Sequence, residues 1–199
     1  MATGDDFEER ELHPVLSATL VAAEEWFTTA DGRLAPQVEP GVLEARVSAS
    51  RLPRAIALVQ EVIGQSERRG MAVSAVDRGR QHRPGIAIGR DDVVTPLRIE
   101  ELRDRVTLSD DELEEYLRKS LRWFLREEEL RQRGWVPRAS GRLRLHLVAR
   151  HDPQPGSVWG WRSSFSDQEG KSLEDKLGLV VDELEARSAS GWSPAQPRR

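Results

Sequence analysis

The chain has 199 residues, a formal net charge of −4, 38% hydrophobic and 32% charged side chains, and no cysteine. These values suit one domain with a real core, and they exclude a disulfide framework, thiolate chemistry and the broadly basic surface of a histone-like DNA binder. No apolar run approaches the ~18–20 residues of a membrane span, and the acidic start MATGDDFEEREL is unlike a signal peptide, so a cytoplasmic protein with no membrane contact is expected.

Charge is unevenly spread, at −8 over residues 1–45 and +6 over 46–90, and of the 30 cationic side chains only Lys119, Lys171 and Lys176 are lysine. Residues 1–12 read as a disordered acidic lead and 188–199 as a disordered tail, which leaves 13–187 as a single α+β domain. A helix is predicted from His13-Pro14, with Pro14 at its first position and Leu16, Leu20, Ala23 and Phe27 as its apolar stripe, Trp26 flanking. Asp31-Gly32 ends it, and a turn-rich loop follows to Pro40.

A strand–helix–strand unit over 43–76 is the centre of the chain. Leu43, Ala45 and Val47 alternate with Glu44, Arg46 and Ser48, the period of a half-buried strand. Ser48 or Ser50 is expected to cap a helix that carries Leu52, Ile56, Val59 and Ile63 on one face, widened by Ala55 and Val62. Gly70 stops that helix, and Met71, Val73 and Ala75 alternate again. The loop DRGRQHRPG follows. IAIG and VVTPLRI then read as a hairpin around residues 89–92, and Pro96 places its second strand at an edge or a bulge.

Ser109-Asp110-Asp111-Glu112 has the spacing of a capping box, at the head of a charged helix predicted over 110–133. RLRLHLV is the cleanest strand pattern, with Leu143, Leu145 and Leu147 on one side and Arg142, Arg144 and His146 on the other. VWGWRSSF suits a returning strand. Ser172 is placed to cap a last helix bearing Leu173, Leu177, Val180 and Leu184.

The basic strand face is the most distinctive local chemistry. Arg142, Arg144 and His146, extended by Arg46 and by Arg78, Arg80 and Arg83 of the loop, suit phosphates or carboxylates if the face is open. The alternative is the ordinary wet face of an antiparallel sheet. Trp123, Trp159 and Trp161, with Trp135, suit an interface or a stacking surface, or else the core. His13, His82, His146 and His151 show no metal-ligand spacing, and no phosphate-cradling glycine motif or nucleophile elbow is present, so neither catalysis nor a cofactor is indicated.

Four blocks resemble a family of uncharacterised bacterial proteins, actinobacterial in type and met in mobile-element neighbourhoods: His13-Pro14, VSASRLPRAIALVQEVIGQSERRG, SGRLRLHL and FSDQEGKSLEDKLGLVVDEL. They span most of residues 13–187. Longer members carry a preceding helix-turn-helix-like segment, which implies a DNA-linked regulatory role; the residues ahead of His13 hold no such segment, and the resemblance assigns no role to any residue.

The expected fold is α+β, a mainly antiparallel sheet of about five strands with the 50–69 and 172–187 helices on one face. The expected function is a non-enzymatic binding module, an accessory or regulatory part of a DNA-associated system with nucleic acid or a protein as partner. A protein-interaction or self-assembly module that forms a homo-oligomer is the second reading, and a hydrolase the third.

Overall fold

In the computed structural model, the residues described are 11–37, 39–77, 84–91, 93–120, 132–148 and 163–189. In chain order they form α1 (Pro14–Ala23), β1 (Phe27–Thr28), β2 (Leu34–Ala35), β3 (Glu44–Arg46), α2 (Leu52–Arg68), β4 (Ala72–Val76), β5 (Gly85–Arg90), β6 (Val93–Val106), α3 (Asp110–Ser120), β7 (Val136–Leu147), β8 (Ser163–Ser166) and α4 (Leu177–Ala189). The fold class is α+β as expected. The main sheet has six strands, β4-β5-β6-β7-β8 antiparallel with β3 parallel to β6, and β1 and β2 make a separate two-stranded ribbon.

The periodic stretches fold as their patterns require. Leu43, Ala45 and Val47 are fully buried, as are Val59, Val62 and Ile63 of α2, while Ile56 is nearly so. Each such leucine, valine or isoleucine burial stabilises by about 1.5–3 kcal/mol relative to an exposed side chain. α2 ends in a Schellman motif: Gly70, at φ +74°, donates to Glu67 O and Met71 N donates to Ser66 O. At its start, neither serine caps the helix. Ser48 O instead accepts from Arg51 N and Leu52 N through a short 3-10 turn, and the two hydroxyls lie 3.2 Å apart. α4 packs on α2, and Leu173, Leu177, Val180, Val181 and Leu184 join the same core.

β3 and β4 run parallel but are not neighbours. β5 and β3 lie end to end along one side of β6, β5 opposite Val93–Leu97 and β3 opposite Arg98–Glu100, with Gly41 N donating to Gly85 O where they meet. Pro96 therefore belongs to an inner strand, not an edge. Val148 N donates to Pro96 O, so the missing N–H falls at the end of the β6–β7 ladder, where it removes one terminal rung.

β6 and β7 run well beyond the apolar stretches that mark them in the sequence. A bulge interrupts their register between Glu101 and Arg103, where Ser140, Gly141 and Arg142 face Leu102. The Glu101 carboxylate, 2% exposed, fills that bulge and accepts from Gly141 N at 2.6 Å and Ser48 N at 2.7 Å.

The first helix stops at Ala23, short of the expected stripe. Trp26 is buried, while Phe27, in β1, points to solvent. The turn after Ala23 resets the periodicity, so the aromatic expected to flank becomes the core residue. The capping box forms as read: Ser109 N donates to Glu112 Oε2 at 2.9 Å and Glu112 N to Ser109 Oγ at 3.4 Å. α3 then packs Tyr116 and Leu117 on Val136, Ala30, Leu108 and Leu113, a second small core at the far end of β6–β7. The predicted acidic lead up to residue 10, the tail from 190, residues 121–131 of the charged helix and the VWGW part of the returning strand lie outside the described residues.

Candidate nucleic-acid interface

Residues directly opposite in a sheet share a face, so register assigns each side chain. Leu97, Ile99, Ala45, Leu145, Leu147 and Phe165 face α2 and α4. The other face carries Arg98 and Glu100 from β6, Glu44 and Arg46 from β3, Arg144 and His146 from β7, and Ser164 and Ser166 from β8. Arg46, Arg144 and His146 are thus brought to one face as expected, and alternation adds Arg142.

That face is a lattice of ion pairs, not a run of unpaired cations. Arg46 Nε lies 2.9 Å from Glu44 Oε1, and His146 Nε2 lies 2.8 Å from Glu100 Oε1. Arg144 Nη1 is 4.0 Å from the same Glu100 oxygen, and Arg142 pairs with Asp104. His146 is 7% exposed, and its buried Nδ1 has no hydrogen-bond partner among the described residues. The His146 hydrogen bond holds the Glu100 carboxyl at about 2, well below its ordinary value, and outweighs the opposing effect of burial; Arg98 and Arg33 act the same way through charge.

A second cluster flanks β6 beyond β3. Asp31 Oδ2 takes Arg33 Nη2 at 2.9 Å and stands 3.6 Å from Arg103 Nη1, while Thr29 Oγ1 donates to Asp31 Oδ1 at 2.6 Å. Burial pushes the Asp31 carboxyl up, but the bonds from Thr29 and Arg33 prevail and lower it. Arg33 Nη1 also donates to Glu101 O.

The layering of this chemistry decides what it can do. Two carboxylates of the face lie deeper than the guanidiniums they hold, the Glu44 side chain 8% exposed against 43% for Arg46 and Glu100 24% against 37% for Arg144, whereas Asp104 at 53% is as exposed as Arg142 at 50%. A guanidinium has five N–H donors, and one ion pair leaves several directed elsewhere. Arginines anchored from beneath present those donors outward in a fixed arrangement, which suits phosphate or carboxylate oxygens. Ser164 lies across from His146, but its hydroxyl makes no hydrogen bond to the ring. Among the described residues, no group of three or more His, Asp or Glu side chains is placed to hold a metal ion.

Arg78, Arg80, Arg83, Trp123, Trp159 and Trp161 lie outside the described residues. The acid partners Glu100 and Asp104 escape a reading that stops the strand at Ile99. Continuing the alternation through LRIEELRDRV would place Arg98 and Glu100 on the face of Arg144. Among the described residues, no helix is long and apolar enough to cross a membrane. No protein-family model matches the chain, and neither a curated protein nor a solved structure matches it.

Proposed function

We propose that the protein is a non-enzymatic binding module that takes the phosphate backbone of DNA on the sheet face opposite α2 and α4, as an accessory or regulatory part of a DNA-associated system. The observation that carries this reading is the layering of the face, with the Glu44 and Glu100 carboxylates less exposed than the Arg46 and Arg144 guanidiniums they hold. Anchoring lowers the entropy lost when a guanidinium engages a phosphate. The acids also cap the net positive charge, so binding is moderate and strongly salt-dependent.

The test is fluorescence anisotropy of labelled DNA and RNA duplexes across a salt series, with light scattering for mass. Binding in the micromolar range at ~50 mM salt that weakens steeply with added salt is expected, with Arg142→Ala/Arg144→Ala weakening it at least ~10-fold. No binding at low salt, with a mass above one chain, overturns the reading in favour of a self-assembly module. The observation that favours that second reading is the exposure of Phe27 and Val21, each 69% exposed at the end of α1 and the start of β1.

A further inference from the structure

β4 (Ala72–Val76) stands at one lateral edge of the six-stranded sheet, and among the described residues its ladder partner is β5 alone. An edge strand directs every second residue's N–H and C=O away from its sheet, ready for another strand. This edge is open to solvent. Ala72 and Ala75 are exposed and Val73, Ser74 and Val76 half-buried, whereas residues 85–89 of the adjacent β5 are all buried.

Sheet edges are ordinarily blunted by a charge, a proline, a bulge or brevity. β8, at the other side of the sheet, has four residues, and Lys176 Nζ donates to its Ser166 O at 2.6 Å. β4 carries none of these devices. Its five side chains are uncharged, it holds no proline, and its register with β5 runs without a bulge from Ala72–Gly89 to Val76–Gly85. The segment AVSAV is also complementary to its own copy. A two-fold axis normal to the sheet at Ser74 sets Ser74 against Ser74, Val73 against Ala75 and Ala72 against Val76. Val73 packs on the core, so alternation places Val73 and Ala75 together on the helix side. Such a joint meets apolar with apolar on that side and opposes no like charges within the strand.

We propose that β4 is a self-association edge, at which a second copy of this chain adds its own β4 antiparallel about Ser74 and continues the sheet. Main-chain hydrogen bonds supply the attraction, and the Val73–Ala75 contacts cover apolar surface that one copy leaves half-exposed. A five-residue joint is small beside the ~1,600 Å² of a standard interface, so dissociation in the micromolar range or above is expected. The inference does not rest on the reading of the sheet face as a DNA-binding surface, and it is distinct from assembly through Phe27 and Val21.

The full chain has no cysteine, which makes the register directly testable. Ser74→Cys sets two thiols directly across the axis, with Cα atoms ~4.5–5.5 Å apart, inside the range of a disulfide. Ala72→Cys lies two residues off the axis, so its two copies stand ~13 Å apart along the strands, outside that range. Under diamide oxidation, Ser74→Cys is expected to give a covalent dimer at least ~10-fold faster than Ala72→Cys. Sedimentation of wild type from ~5 to 500 µM is expected to show a mass rising from one chain toward two. Ser74→Lys, which opposes two like charges across the axis, is expected to stay at one chain with unchanged Tm. A wild type that remains one chain throughout, or equal cross-linking of the two cysteine variants, refutes the edge. A Ser74→Lys variant that still dimerises also refutes it and moves the contact to another surface, such as Phe27 and Val21.

Discussion

Single residues show how much the meaning of a side chain depends on its cross-strand partner. His146 resembles a solvent-facing cation in the pattern Arg142, Arg144, His146, yet it is buried and committed to Glu100. The consequence for stability runs through the carboxylate. Its value near 2 lies below the ordinary 4.5, so the ionised form is stabilised by folding. That contribution is fully present above pH ~4.5 and is lost as pH falls toward 2, because the unfolded chain then binds the proton more readily. A Glu100→Gln variant is therefore expected to lose on the order of 1–3 kcal/mol at pH 7 and to close the gap with wild type by pH ~2. Urea denaturation at a series of pH values checks this, and a gap that stays constant with pH refutes it.

At the level of elements, two joints hold the layers together, and each makes a prediction. Asp167, at the end of β8, accepts two bonds from Arg54 of α2, at 2.7 and 2.8 Å, and one each from Leu143 N and Leu173 N at 2.7 Å. Burial raises its carboxyl, but these bonds bring it below the ordinary range. Arg54 also grips Glu174, so one guanidinium ties α2 to β8 and to the turn before α4. Asp167→Ala leaves two buried N–H groups and one guanidinium face without acceptors, and a loss of about 2–4 kcal/mol in chemical denaturation is expected. The second joint is the β5–β6 hairpin. A Cβ on Gly89 would stand 1.9 Å from Val93 O, a clash with backbone that no rotamer relieves. Gly89→Ala should destabilise, read as a fall in Tm, where an ordinary strand glycine would gain up to ~1 kcal/mol from the same change, whereas Gly134→Ala meets no neighbour and should cost only the strain of its positive φ.

These joints also mark where sequence reading succeeds and where it stops. β3, α2 and the inner half of β7 are legible because one apolar period runs unbroken through each. Beyond Ile99 the period fails, since the next inward position is Glu101, whose partners Ser48 N and Gly141 N are far away in the chain. A buried carboxylate satisfied by two remote backbone N–H groups leaves no local signature. The same holds for the acids beneath the arginines: Glu44 and Arg46 are visible as neighbours, but the pairing of Glu100 with His146 needs the β6–β7 register. Arg105 and Arg133 come from either side of α3, and only the fold brings both to the Trp135 ring, at 4.6 and 4.4 Å from its centroid.

For the molecule as a whole, the telling feature is that β3 and β4, the two strands joined by α2, do not pair with each other and join the sheet through β6 and β5. The most regular part of the chain is thus an orphan until its later partners exist. On a ribosome that adds roughly 5–20 residues per second, the apolar face of α2 waits on the order of seconds between the emergence of Arg68 and that of Glu100. During that interval Ile56, Val59 and Ile63 have no sheet to cover them. The arrival of β6 supplies rungs to β3, β5 and β7 in turn, so the timing of this one strand, more than the strength of any helix, governs how long the nascent chain is exposed to aggregation or to chaperones.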